Sequence, residues 1–267
     1  MPELTIGQYE LVYNMLSLTI ACMFASFVFF VLSKNTVATK YQGSVVASAL
    51  VVFIAGYHYF RIFGSWEGAY QLSESAGAFL PTGEPFNDAY RYVDWLLTVP
   101  LLMVELVLVL GVSGALTRSL ITRLGIAAFL MIALGYPGEI DKESTDLFSN
   151  RGMWGLLSTI PFVYILVVVI KQLREAMART SRGIAVLLRN AGLLTLFTWG
   201  FYPIAFMAPF YGLTGGTAEV TLQVGYSIAD ITAKCGYGLL IFAIAKRRSI
   251  EEGLIPAESH LSEEKSV

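Results

Sequence analysis

Six ionisable residues stand inside long apolar runs of this chain: Arg91, Asp94 and Glu105 in one run, Asp230 and Lys234 in another, His58 in a third. Such groups are costly in lipid and face the interior of a bundle, where they pair or work. A desolvated lysine amine is the side chain that forms a Schiff base with an aldehyde. To stay protonated it needs negative charge beside it. Tyr226, Asp230 and Lys234 follow one another at intervals of four, so they share a helical face with the carboxylate one turn from the amine. Asp94 is four residues before Thr98 and eleven before Glu105. Eleven residues are almost three turns, so the two acids stand in line about 16 Å apart along the axis. In line on an inner face, they have the form of stations on a proton path. A structural reading stays open beside this one: Asp230 and Lys234 as a buried ion pair, Glu105 as a satisfied polar residue joining two helices.

These residues need elements to hold them, and the composition says what those elements are. Only 14% of the 267 residues are charged and 55% are hydrophobic. The mean hydropathy is +0.63, so the solvent of this chain is lipid. A net charge of −2 leaves no basic field for nucleic acid. A span of ~30 Å of hydrocarbon takes about 20 helical residues. Seven segments meet that length, near 8–32, 42–63, 85–110, 118–138, 152–173, 186–209 and 218–246, the fourth being the weakest in hydropathy. The expected fold is therefore an all-α membrane protein, a seven-transmembrane helix bundle over residues 1–250, with a flexible polar tail over 251–267. Residues 64–83, rich in Gly, Ser and Pro, read as an outer loop with a hairpin.

Charges between the spans set the direction. Lys34, Lys40, Arg118, Arg123, Lys171, Arg174, Arg179, Arg182, Arg189, Lys246, Arg247 and Arg248 fall on one side; Glu67, Glu74, Glu84, Glu139, Asp141, Glu143 and Glu219 fall on the other. The positive-inside rule then puts the N-terminus outside and the C-terminus in the cytoplasm of a cell (inner/plasma) membrane. Residues 1–10 hold no positive region of the kind that opens a removed signal peptide, so the first span is expected to stay. Cys22 and Cys235 lie in apolar runs without ligand spacing, and the reading for both is packing, with no metal site.

The run Tyr90-Arg91-Tyr92-Val93-Asp94-Trp95-Leu96-Leu97-Thr98-Val99-Pro100 resembles the third-helix signature of the microbial (type 1) rhodopsins. Tyr226-Ser227-Ile228-Ala229-Asp230-Ile231-Thr232-Ala233-Lys234 resembles their seventh, and Trp199-Gly200-Phe201-Tyr202-Pro203 a third run of the same family. The resemblance implies all-trans retinal held as a protonated Schiff base on Lys234, with Asp94 and Asp230 as counterion and Trp95, Met131, Ser158, Phe162, Trp199, Tyr202 and Tyr226 as the retinal pocket. The triplet Asp94, Thr98, Glu105 is similar to that of eubacterial proton pumps, which implies a light-driven outward proton pump and not an enzyme. Asp94 would then be the proton acceptor and Glu105 the cytoplasmic donor, held protonated by burial among Leu101, Leu102 and Leu108. A sensory rhodopsin signalling through a separate transducer is the alternative. A non-photoactive receptor or transporter leaves Lys234 unexplained.

Ala55-Gly56-Tyr57-His58-Tyr59-Phe60-Arg61 resembles the motif whose histidine hydrogen-bonds the acceptor aspartate in proteorhodopsins and xanthorhodopsins, so His58, Arg91 and Thr98 are expected to tune Asp94. Arg91 resembles the gate between counterion and exit. Gly155 stands where bacteriorhodopsin has a tryptophan and xanthorhodopsin-like pumps a glycine, which implies a window for an antenna carotenoid; close helix packing is the other reading. Leu102 resembles green-tuned variants. The position of bacteriorhodopsin's release glutamate reads Leu222 here, so release must use another group or water. The partners implied are membrane lipid, retinal, a carotenoid and further copies of the chain in a homo-oligomer.

Overall fold

The computed structural model describes residues 1–87, 89–141, 146, 148–213 and 215–256. Seven of its helices are long and apolar enough to cross a membrane. They are α1 (Ile6–Ser33), α2 (Thr39–Ala69), α3 (Ala89–Val109), α4 (Gly114–Ile140), α5 (Asn150–Met177), α6 (Arg182–Phe206) and α7 (Gly215–Glu251). Consecutive helices pack on one another, and α7 closes the bundle against α6, α1 and α2. The basic residues named above gather at the end where α7 stops at Glu251. Glu143 of the acidic set and residues 257–267 of the tail lie outside the described residues.

Local chemistry starts the helices where lipid alone would not. Ser113, Ser149 and Ser181 accept the backbone N–H of Leu116, Gly152 and Ile184, capping α4, α5 and α6. Thr5 and Gln8 form a reciprocal capping box at α1. The middle of α7, Ile231–Gly236, is π-helical and contains Lys234. A π turn admits one extra residue per turn and is found mostly at functional positions.

Several helices start or stop a few residues from the expected bounds, and two of these shifts have a cause in side-chain contacts. The second helix does not stop near residue 63 but runs to Ala69. Its last turns carry Trp66, fully buried and stacked on Tyr9 at 5.8 Å, with Phe86 edge-on at 5.4 Å. Packing of that ring, not lipid, holds those turns. The third helix begins at Ala89 rather than 85, because Asn87 binds Ser65 Oγ through its N–H and accepts the Ala89 N–H on Oδ1. The expected hairpin is present as β2 (Tyr70–Ser73) and β3 (Ala78–Pro81). A strand the sequence did not suggest, β1 (Leu4–Thr5), joins it in the order β1-β3-β2. The ring of Phe79 stacks on Tyr9 at 3.7 Å. The N-terminal end of the bundle thus has a small sheet over it.

At the other end, the first residues after the helical core are held. Glu252 accepts from Lys40 Nζ at 2.9 Å and from the hydroxyl of Tyr41, and Ile255 packs on the core. These bonds keep the Glu252 carboxyl below its usual range against the opposing effect of burial.

Candidate functional site

α3 and α7 bring three charges to the centre of the bundle. Lys234 Nζ lies 2.9 Å from Asp94 Oδ2 and 2.7 Å from Asp230 Oδ1. All three side chains are 2% exposed or less. A cation between two carboxylates in a dry interior balances part of their desolvation, and removal of any one member leaves an uncompensated charge. The two carboxylates are held differently. Asp230 accepts from the hydroxyls of Tyr202 (2.5 Å) and Tyr59 (2.8 Å), so its charge is fixed by hydrogen bonds. The oxygens of Asp94 meet no hydrogen-bond partner among the described residues beyond the ion pair with Lys234. Asp94 is therefore the less satisfied base of the two.

The residues expected to tune Asp94 act on it less directly than the resemblance implied. Thr98 Oγ1 donates to the backbone carbonyl of Asp94 at 2.9 Å, not to its carboxylate. His58 is buried, and Nδ1 stands 2.9 Å from the Ile54 carbonyl, four residues back on α2. A carbonyl only accepts, so Nδ1 carries a proton and spends it there. The direct hydrogen bond to Asp94 is not made. Arg91, one turn from Asp94 towards the sheet-bearing end, donates from Nη2 to Gln223 Oε1 at 2.5 Å and lies over Tyr226 and Tyr59.

Glu105 sits on the other side of Asp94, fully buried on α3. The expected setting of Leu101, Leu102 and Leu108 is joined by a polar contact: Ser48 of α2 donates to Glu105 Oε2. Ser48 was missed, as was Tyr59, although the two are eleven residues apart on α2. That interval matches the one between Asp94 and Glu105 and places both on a single face.

From Lys234 a cavity of about 410 Å³ runs between α3, α4, α5, α6 and α7. Trp95, Met131, Ser158, Phe162, Trp199, Tyr202 and Tyr226 all line it, as do Leu102, Asp230 and Gly155. Trp95 stands edge-on to Tyr202 at 5.0 Å, and Ser158 Oγ donates to the Met131 carbonyl at 2.7 Å. Asp94, Glu105, His58, Arg91 and Thr98 are not among its walls. The end far from Lys234 passes Gly155 and reaches Leu156 and Thr159, both exposed on the outer face of α5. Phe206 of α6 presses against Gly155: a Cβ there would lie 2.8 Å from Cε1 of its ring. Trp154 faces α4 instead, with Cβ near Gly138 and Nε1 on Asn150. Arg151, also missed, holds this corner: it pairs with Glu139 at 2.8 Å, donates to the carbonyls of Phe206 and Gly138, and lies 4.2 Å over the Phe206 ring.

Cys22 and Cys235 form no disulfide, and Cys235 Sγ rests 3.4 Å from Met23 Sδ. No group of metal-ligating residues occurs among the described residues.

Residues 10–247 match the model of the family described as bacteriorhodopsin-like protein. The crystallographic structure of xanthorhodopsin, described as a light-driven ion pump with dual chromophore, superposes with a TM-score of 0.91 at 60% identity, covering 95% of this chain and 99% of that one. The crystal structure of thermophilic rhodopsin superposes with a TM-score of 0.89 at 52% identity, over 95% and 99% of the two chains. The green-light absorbing proteorhodopsin of gamma-proteobacterium EBAC31A08 is 29% identical over 233 residues, which are 87% of this chain and 85% of that protein.

Proposed function

This chain belongs to the bacteriorhodopsin-like protein family, and we propose that it is a light-driven outward proton pump with retinal on Lys234, Asp94 as proton acceptor and Glu105 as donor. The observation that carries the reading is Lys234 Nζ between Asp94 and Asp230 at one end of the long apolar cavity. The cavity suits retinal by its chemistry. It offers one amine for an aldehyde, the Asp230 carboxylate in its wall with Asp94 behind the amine at 2.9 Å to balance the resulting cation, and aromatic walls for a polyene, in a volume of about 410 Å³. Retinal bound there supplies light absorption and a change of shape.

The protein's own groups do the rest. Asp94 Oδ2, 2.9 Å from Nζ, is within reach of the proton that Nζ carries. Asp230 is committed to the hydroxyls of Tyr59 and Tyr202 and stays a fixed negative charge. Glu105, about 16 Å along the helix from Asp94, is fully buried with Ser48 on Oε2 and supplies the replacing proton from the side bearing the basic residues. That side is the cytoplasm by the charge asymmetry of the loops, which gives the outward direction.

Continuous light on cells that express the protein with retinal should acidify the medium against a potential worth about 2.3 kcal/mol per 100 mV, and a protonophore should abolish the change. A visible pigment that moves no protons would leave the sensory alternative.

A second reading, an antenna carotenoid at Gly155, is favoured by one observation: the cavity passes Gly155 to the exposed Leu156 and Thr159. An apolar polyene dissolved in lipid can stack there. Its test is the action spectrum of pumping with added hydroxylated or keto-carotenoids, in the wild type and in Gly155→Trp. Transport driven by carotenoid-absorbed light only in the wild type supports the site; equal or absent transport in both rejects it.

A further inference from the structure

The row of polar side chains on α7 continues beyond the counterion towards the sheet-bearing end. Asp230, Tyr226, Gln223 and Glu219 follow at intervals of four, three and four, one face of about three turns and about 16 Å. Tyr226 and Gln223 are joined to α3 through Arg91, whose guanidinium carbon is 5.0 Å from the Tyr226 ring centre and whose Nη2 binds Gln223. Arg91 and Gln223 are both 2% exposed. The Gln223 amide is held at both ends: Oε1 accepts from Arg91 Nη2 at 2.5 Å, and Nε2 donates to Glu219 Oε1 at 2.8 Å. That orientation puts the carbonyl end on the cation and the N–H end on the carboxylate, the polarity each prefers.

Glu219 is the first acid of this row to reach solvent, being half-buried where Gln223 is buried. Among the described residues, the groups that face it include Arg91 of α3, through Gln223, and Tyr70 of β2. Tyr70 is itself buried, and burial, with the Glu219 charge adding to it, holds its phenol above the ordinary range. The phenol keeps its proton and does not compete for the one in transit.

We propose that Glu219 is the outer station of the proton path, accepting the proton that leaves Asp94 and passing it to the medium, with Gln223 and Arg91 as positioning residues between them. The proposal deepens the pump reading and rests on it. In each turnover the O–H bond on Asp94 breaks and one forms on Glu219; that bond then breaks to external water, and both groups end as carboxylates. An amide is no acid at neutral pH, so Gln223 holds the end points while a chain of waters, each within hydrogen-bond reach of the next, carries the proton between them. Leu222, at the place of bacteriorhodopsin's release group, faces no such task.

The test is flash photolysis of the retinal-loaded full chain in vesicles, with a pH-indicating dye in the medium on the side of the N-terminus. In Glu219→Gln the dark spectrum should match the wild type, while dye response and recovery of the dark absorbance should both slow by about tenfold. Glu219→Asp should restore most of the rate, and a millimolar weak acid added outside should speed Glu219→Gln but not the wild type. Time-resolved infrared spectra should show a transient protonated-carboxyl band that Glu219→Gln lacks. Dye response and infrared bands unchanged in Glu219→Gln would overturn the proposal while the pump reading stood. Absence of any dye response in the wild type would instead remove the pump reading itself.

Discussion

Gly155 and Phe206 meet so closely that one methyl group should change sign with its neighbour. A Cβ at position 155 falls 2.8 Å from Phe206 Cε1 and 3.5 Å from Cζ, against about 3.5–4.0 Å for carbons in optimal contact. The ring must therefore retreat by about 0.7 Å to accept even alanine. It is not free to do so, because Arg151 lies 4.2 Å over the ring and holds the Phe206 carbonyl through Nε at 3.0 Å. Overpacking of this kind costs about 1–3 kcal/mol. Alanine in place of glycine within a helix returns up to about 1 kcal/mol. The net for Gly155→Ala is thus a loss of up to about 2 kcal/mol, or a few degrees in the thermal midpoint of a chain this size. In a Phe206→Leu background the clash is relieved and only the helix term remains, so the same substitution should stabilise. The assay is thermal loss of visible absorbance and of helical circular dichroism for the wild type, both single variants and the double variant. An equal effect of Gly155→Ala in both backgrounds would refute the contact as the cause.

Lys234→Ala should abolish visible absorbance, since alanine cannot hold the aldehyde; a hydroxylamine-sensitive pigment in that variant would contradict the assignment. Asp94→Asn should shift the pigment to the red and stop acidification of the medium, because an amide neither balances the cation at 2.9 Å nor takes its proton; normal acidification would exclude Asp94 as acceptor. Glu105→Gln should leave the dark spectrum nearly unchanged and slow recovery after a flash by about 10²-fold or more, increasingly so as the pH rises, and a wild-type recovery would take Glu105 off the path.

The parts legible in the sequence are those that lipid or helical periodicity dictates. Charge-free runs of about 20 residues had to be helices, because only a helix satisfies its backbone within one segment in hydrocarbon and a barrel strand needs about half that length. The intervals from Asp94 to Glu105 and from Asp230 to Lys234 assigned faces before any packing was known. Where lipid ends, that logic ends: Trp66 carries α2 six residues past the expected stop, for packing reasons a composition window does not register. Two residues, Leu4 and Thr5, are too few to show a strand pattern. Phe206 and Arg151 carry no local sign of their role, because each acts on helices that are its neighbours only in space. Ser48 was within reach, for a serine in an apolar run needs a partner and its eleven-residue interval to Tyr59 repeats that of α3.

The π segment Ile231–Gly236 makes α7 a helix with two reading frames. One residue more than an α-helix would use is stored beside Lys234, so the two halves of α7 are out of phase by about 100°. The half before the segment sets Asp230 against Tyr59 and Tyr202; the half after it turns Ser249 to the backbone N–H of Ala38 at 2.9 Å. Deleting a single residue between 231 and 236 would restore a uniform α-helix and keep only one of those two alignments. Chimaeras that exchange α7 with a straight-helix relative therefore have to be joined outside the segment, or carry its whole residue count with them.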